Sequence, residues 1–145
     1  MDKKALLARV KEDGVKFISL QFTDVTGTVK SLDIPLERLE TALDDGIWFD
    51  GSSVEGFARI QESDMRLVLD MNTYAVLPWT PAEMRRARIF CDIYQTDTQP
   101  FLGDPRGTLK RMLQRVSERG WKFNVGPEPE FFLFRRNGPD SCLLY

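Results

Sequence analysis

Two glutamates near the C-terminal end, in Gly126-Pro127-Glu128-Pro129-Glu130, stand at the mouth of the apolar run Phe131-Phe132-Leu133-Phe134. In a β-strand successive side chains alternate faces, so Glu128 and Glu130 would point the same way, roughly 6–7 Å apart at Cα. Like charges at that separation repel unless a cation lies between or beside them. Hard divalent ions such as Mg²⁺ prefer oxygen ligands, and phosphate chemistry uses them to neutralise developing charge. The same spacing also suits a solvated edge strand, where Pro127 and Pro129 have no N–H to give to a ladder. Spacing alone leaves both readings open.

A second polar constellation occupies residues 49–67, FDGSSVEGFARIQESDMRL. Asp50-Gly51-Ser52-Ser53 is turn chemistry, in which glycine permits tight backbone geometry and the serines can bind backbone groups. Gly56 allows a further bend, and Glu62, Ser63 and Asp64 precede an apolar segment. By its own spacing this is a polar loop, and loops rich in aspartate and serine need carry no chemistry.

Composition narrows the classes of function. A chain of 145 residues, 42% hydrophobic and 29% charged, can bury one moderate core and has the balance of a globular protein. Twenty basic against twenty-two acidic residues leave a net charge of -2, which argues against a nucleic-acid partner. No apolar stretch has the length of a membrane span, and Met1-Asp2-Lys3-Lys4-Ala5 lacks the apolar core of a signal peptide, so a cytoplasmic protein with no membrane partner is expected. The absence of histidine excludes a His-based triad or a common zinc site within this chain and leaves carboxylates as the main metal ligands. Cys91 and Cys142 have neither metal-type nor redox-type spacing, and Cys91, inside Ile89-Phe90-Cys91-Asp92-Ile93, reads as a small core residue.

Positioning the two constellations requires a scaffold, and the periodicities supply one. Leu6, Leu7 and Val10 share a helical face ended by Gly14. Residues 15–22 and 28–34 alternate as strands around the turn Asp24-Val25-Thr26-Gly27, a β-hairpin. Pro35 opens a short helix with Leu36, Leu39 and Leu43 on one face, and Gly46 closes it. Further strands are expected at 66–71, 73–77 and 88–94. A hairpin, a helix across it and more strands describe an α+β unit of the ubiquitin-like β-grasp kind. Residues 95–104 read as a linker. Asp104 as cap and Pro105 as first residue open a helix whose Leu109, Met112, Leu113 and Val116 form a core-facing stripe, ended by Gly120. A strand is expected over 121–134. The division is then 1–13, an N-terminal helix; 14–98, the β-grasp domain; and 99–145, a linker, helix and first strand of an incomplete α/β catalytic domain.

Two motifs together carry a resemblance. An aromatic residue, Asp50-Gly51-Ser52-Ser53, a gap, Ser63-Asp64 and Leu67 resemble the N-terminal signature of glutamine synthetases, and residues 126–132 resemble that family's first metal-binding strand. Cys91-Asp92-Ile93-Tyr94 and Gly103-Asp104-Pro105-Arg106 are similar to the bacterial type I branch. The resemblance covers nearly the whole chain up to about Phe134.

What it implies is a glutamate–ammonia ligase. ATP phosphorylates the glutamate side chain, and ammonia displaces phosphate from γ-glutamyl phosphate to give glutamine, with two Mg²⁺ or Mn²⁺ ions holding the phosphates and the reacting carboxylate. By the same resemblance Glu128 and Glu130 each ligate an ion. Asp50 binds ammonium and helps take its proton, with Ser53 in the same substrate loop. The family also implies a ring-type dodecamer whose sites are shared between neighbouring subunits. Type I enzymes are roughly three times longer, so the chain is expected to be an N-terminal fragment, inactive alone, whose last residues after Phe134 depart from the family pattern. A fragment of a related γ-glutamyl-amine ligase, or a non-catalytic β-grasp interaction module, are the alternatives.

Overall fold

The computed structural model describes residues 1–54, 56, 64–135 and 142–144. Glu62 and Ser63 of the loop motif, and residues 136–141 and 145 of the C-terminal tail, lie outside the described residues.

The expected alternation of helix and strand is present, and short local signals account for it. Helix α1 (Lys3–Glu12) begins where the Asp2 carboxylate accepts from the Ala5 N–H, and it buries Leu6 and Val10. Strand β1 (Phe17–Thr23) pairs antiparallel with β2 (Val29–Pro35), from Phe17 opposite Pro35 to Thr23 opposite Val29. One Asp24 oxygen ties the turn between them, accepting from the N–H groups of Thr26 and Thr28 and from the Thr26 hydroxyl. A 3-10 turn at Leu36–Arg38 then leads into α2 (Leu39–Asp45), which buries Leu39 and Ala42.

The next three strands are β3 (Ile47–Asp50), β4 (Asp64–Leu69) and the two-residue β5 (Ala75–Val76). Strand β6 (Arg86–Tyr94) runs through the middle of the sheet, parallel to β1 and antiparallel to β4, in the order β2-β1-β6-β4-β3, with β5 also on β6. Its alternation is strict. Ala87, Ile89, Cys91 and Ile93 face the core with Ile18, Leu20, Met65 and Leu67, while Arg86, Arg88, Asp92 and Tyr94 face the other way. A mixed sheet with α1 and α2 packed into its core is a β-grasp-like arrangement.

Three expectations change beyond residue 94. The stretch 95–104 has no helix or strand, yet it folds back on β6: Gln95 N–H donates to Gln99, Tyr94 bridges Pro100, and Phe101 N–H donates to the Ile93 carbonyl. Helix α3 (Pro105–Glu118) forms with Asp104 as its cap, but its apolar stripe does not face a core. Leu109, Met112 and Leu113 are exposed, because the side turned to the sheet is the charged one that carries Arg106 and Lys110.

The third change concerns the C-terminal strand. Only β7 (Leu133–Arg135), paired antiparallel with β8 (Cys142–Leu144), is strand, and 121–132 has no regular structure. A strand is stabilised by its ladder, and Pro127 and Pro129 remove two of the donors a ladder would use. Strand β3, by contrast, was not expected. Four residues are too few to show a period, and the ladder to β4 is what forms it.

Candidate functional site

The Asp50 loop is held at the end of a short edge strand. Gly46 caps α2 at φ 71°, which lets the chain turn directly into β3. Strand β3 is seated by Phe49, whose ring lies 5.1 Å from that of Phe22 in β1. Asp50 closes the strand and caps the 3-10 turn Gly51–Ser53. Its Oδ1 accepts from the Ser52 N–H at 2.9 Å and from the Ser52 hydroxyl at 2.7 Å, and the Ser53 hydroxyl donates to the Asp50 carbonyl at 2.7 Å. These bonds set the direction of the carboxylate and leave it at the surface, since Asp50, Ser52 and Ser53 are exposed while Gly51 and Val54 are buried.

Register adds a residue that motif reading did not single out as part of the site. Asp50 is the Cα partner of Asp64 on β4, so two acidic residues stand opposite each other in the register at the end of the ladder. The only sequence signal was the pair of acid-serine clusters, and their apposition depends on the β3–β4 register.

Glu128 and Glu130 are placed differently. Both are exposed, in the stretch without regular structure, and among the described residues neither makes a hydrogen bond or an ion pair. The same-face geometry inferred for a strand has no ladder beneath it here. Among the described residues, no three or more aspartates, glutamates or cysteines gather as a metal ion would require. Two exposed carboxylates with no third ligand among the described residues do not by themselves fit a two-ion site, because Mg²⁺ demands near-octahedral oxygen coordination. The Cys91 thiol is no substitute. It is fully buried, and burial pushes its pKa far up, with the charge of Asp92 acting in the same direction.

The comparisons with known proteins converge. Residues 14–96 match the family model described as glutamine synthetase, beta-Grasp domain, and residues 102–143 match that of the glutamine synthetase catalytic domain. Over 126 residues the chain is 51% identical to the glutamine synthetases of Staphylococcus epidermidis and Staphylococcus aureus. It belongs to the glutamine synthetase family. The match covers 86% of this chain and 28% of each relative, so the chain spans little more than a quarter of their length. Among solved structures it resembles one described as a GmaS/ADP complex, with a TM-score of 0.71 and 24% identity over 79% of this chain and 26% of that one. It also resembles a Plasmodium falciparum glutamine synthetase, with a TM-score of 0.73 and 21% identity over 83% of this chain and 23% of that one. At these identities the likeness is one of fold.

No helix among the described residues is long and apolar enough to cross a membrane.

Proposed function

We propose that this chain is the N-terminal part of a cytoplasmic glutamate–ammonia ligase, dividing near residues 98 and 99 between its β-grasp and catalytic parts. The observation that carries the reading is the Asp50 loop: a surface carboxylate oriented by Ser52, anchored through Phe49, and paired in register with Asp64. A surface carboxylate of fixed direction suits a small monocation such as ammonium. Asp50 would hold that cation and take a proton from it, and the ammonia so freed would attack the acyl carbon of γ-glutamyl phosphate as phosphate leaves. Ser53 fixes the loop backbone and borders the same substrate.

ATP and glutamate bind largely to chain that lies beyond this one in the relatives. Glu128 and Glu130 would be two of the ligands for its Mg²⁺ or Mn²⁺ ions, the rest coming from that longer chain. The enzyme is then a homo-oligomer, a ring-type dodecamer in which the Asp50 loop of one subunit reaches the carboxylates of its neighbour.

A chimera tests this. Residues 1–132 of this chain replace the matching segment of the Staphylococcus aureus enzyme, and glutamine formation from glutamate, ATP and ammonium is measured. An active chimera, with turnover in its Asp50→Asn variant at least about 100-fold lower while nucleotide binding persists, supports the proposal. An assembled chimera that turns over equally well with Asp50→Asn refutes the assigned role.

A further inference from the structure

We propose that Arg106 is the pin of an ionic joint that fixes α3, the first helix of the catalytic part, against the outer face of the β-grasp sheet. Three independent features meet there. Arg106 Nη1 donates to Asp92 on β6 at 2.5 Å, and Nη2 donates to Asp70, just beyond β4, at 2.6 Å. One planar guanidinium therefore bridges two carboxylates from different parts of the sheet, a geometry that its fork of donors suits and a lysine cannot reproduce. One turn further along, Lys110 Nζ lies 2.6 Å from Asp92 and 3.9 Å from Asp70. The two cations stand at i and i+4, on one side of the helix.

The carboxylates are themselves held. Asp70 Oδ1 accepts from the Asn72 N–H at 3.1 Å, so its other oxygen is aimed rather than free to swing. The Arg106, Asp70 and Asp92 side chains are only 22–24% exposed, which reduces the screening that makes surface ion pairs weak.

The third feature is Asp104, which is 2% exposed. Its Oδ1 caps the helix at the Arg106 N–H, 3.0 Å away, and its Oδ2 accepts from the Ile93 N–H in β6 at 3.3 Å. Together with the Phe101 N–H on the Ile93 carbonyl, this satisfies both backbone groups of Ile93, beyond Phe90, the last β6 residue that pairs with β1. The stretch between the two matched family segments is thus a folded return with ionic closure, not a free tether. The orientation of α3 follows from charge, and its apolar stripe is left to serve the chain that follows. The joint stands whatever amine the whole enzyme uses.

The test uses the 145-residue chain. Thermolysin cleavage before Phe101 and Leu102, and amide exchange across 105–118, are compared for the parent, Arg106→Gln and Lys110→Gln. Arg106→Gln should speed cleavage at least about tenfold and remove α3 protection, while β1 and β6 amides change by less than about twofold. Lys110→Gln, a half-exposed side chain whose loss leaves the sheet intact, should give the same pattern at about threefold. Unchanged cleavage and exchange in both variants would overturn the joint. So would loss of sheet protection together with the helix in both, since these residues would then belong to the core of the β-grasp domain itself.

Discussion

Replacing Gly46 by alanine isolates the turn that delivers Asp50 to the surface. Gly46 has φ 71° and ψ −172°, a region that only glycine occupies readily, so backbone strain of order 1–3 kcal/mol is expected. Space makes it worse. A Cβ would stand 2.6 Å from the Leu67 carbonyl oxygen and 2.9 Å from Arg66 Cγ, and the first of these is backbone locked into β4. The substitution therefore forces β3 away from β4 in addition to straining the turn, for a total of about 3–5 kcal/mol.

The control is Gly14→Ala. Gly14 also has positive φ, 65°, but an added Cβ there meets nothing within 4 Å, so only the left-handed cost of about 1–2 kcal/mol applies. Thermal unfolding followed by far-UV circular dichroism should give a Tm lower by about 10–20 °C for Gly46→Ala, against about 3–8 °C for Gly14→Ala. Urea titration of both variants gives the free energies directly. Equal destabilisation of the two, within about 1 kcal/mol, would refute the claim that contact with β4 dominates at Gly46.

The remaining expectations follow from burial and charge. Cys91 should react with a thiol reagent at least about 100-fold more slowly in the folded chain than in urea, measured in a Cys142→Ser background, because burial keeps the thiol protonated and covered. Asp70 governs an acid limb. Its burial alone would raise its pKa, but the Arg106 hydrogen bond, the Asn72 N–H and the charges of Arg106 and Lys110 outweigh that and hold it below the ordinary carboxylate value. A lowered folded value means its stabilisation is complete above the unfolded pKa and is lost as pH falls through the folded one, so α3 protection should persist from pH 7 down to the ordinary carboxylate value of 3.8 and be lost only as pH falls below it. Asp70→Asn should flatten that limb in an exchange titration. Limited trypsin digestion should cut near Lys122, in the exposed stretch 121–132, well before it cuts within the β1–β2 hairpin. Early loss of the β1–β2 hairpin would contradict the packing.

Local patterns sufficed for most of the scaffold. The Asp2 cap with Leu6 and Val10, the Asp24 turn between two alternating runs, and the strict alternation of Arg86–Tyr94 are each written within a few residues, because capping, turn chemistry and amphipathic period act over that range. The β-grasp class and the membership of its family were legible from those patterns and from two short motifs. Asp50 and Ser53 were legible as a turn from residue type alone, and the structure has them bonded as one.

Tertiary structure decided what depends on partners distant in sequence. The parallel pairing of β1 with β6, the existence of β3 and the apposition of Asp50 with Asp64 all require a ladder between segments that carry no mark of each other. Residues 121–132 show the converse, since an apolar sequence next to two prolines is not strand without a partner to pair with. In α3 the pattern pointed to the wrong face. Its apolar stripe promised a core, but Asp70 and Asp92, brought side by side by β4 and β6, bind Arg106 and Lys110 and turn the charged side inward. A helical period reveals which residues share a face, and only the surface it meets determines which face is covered.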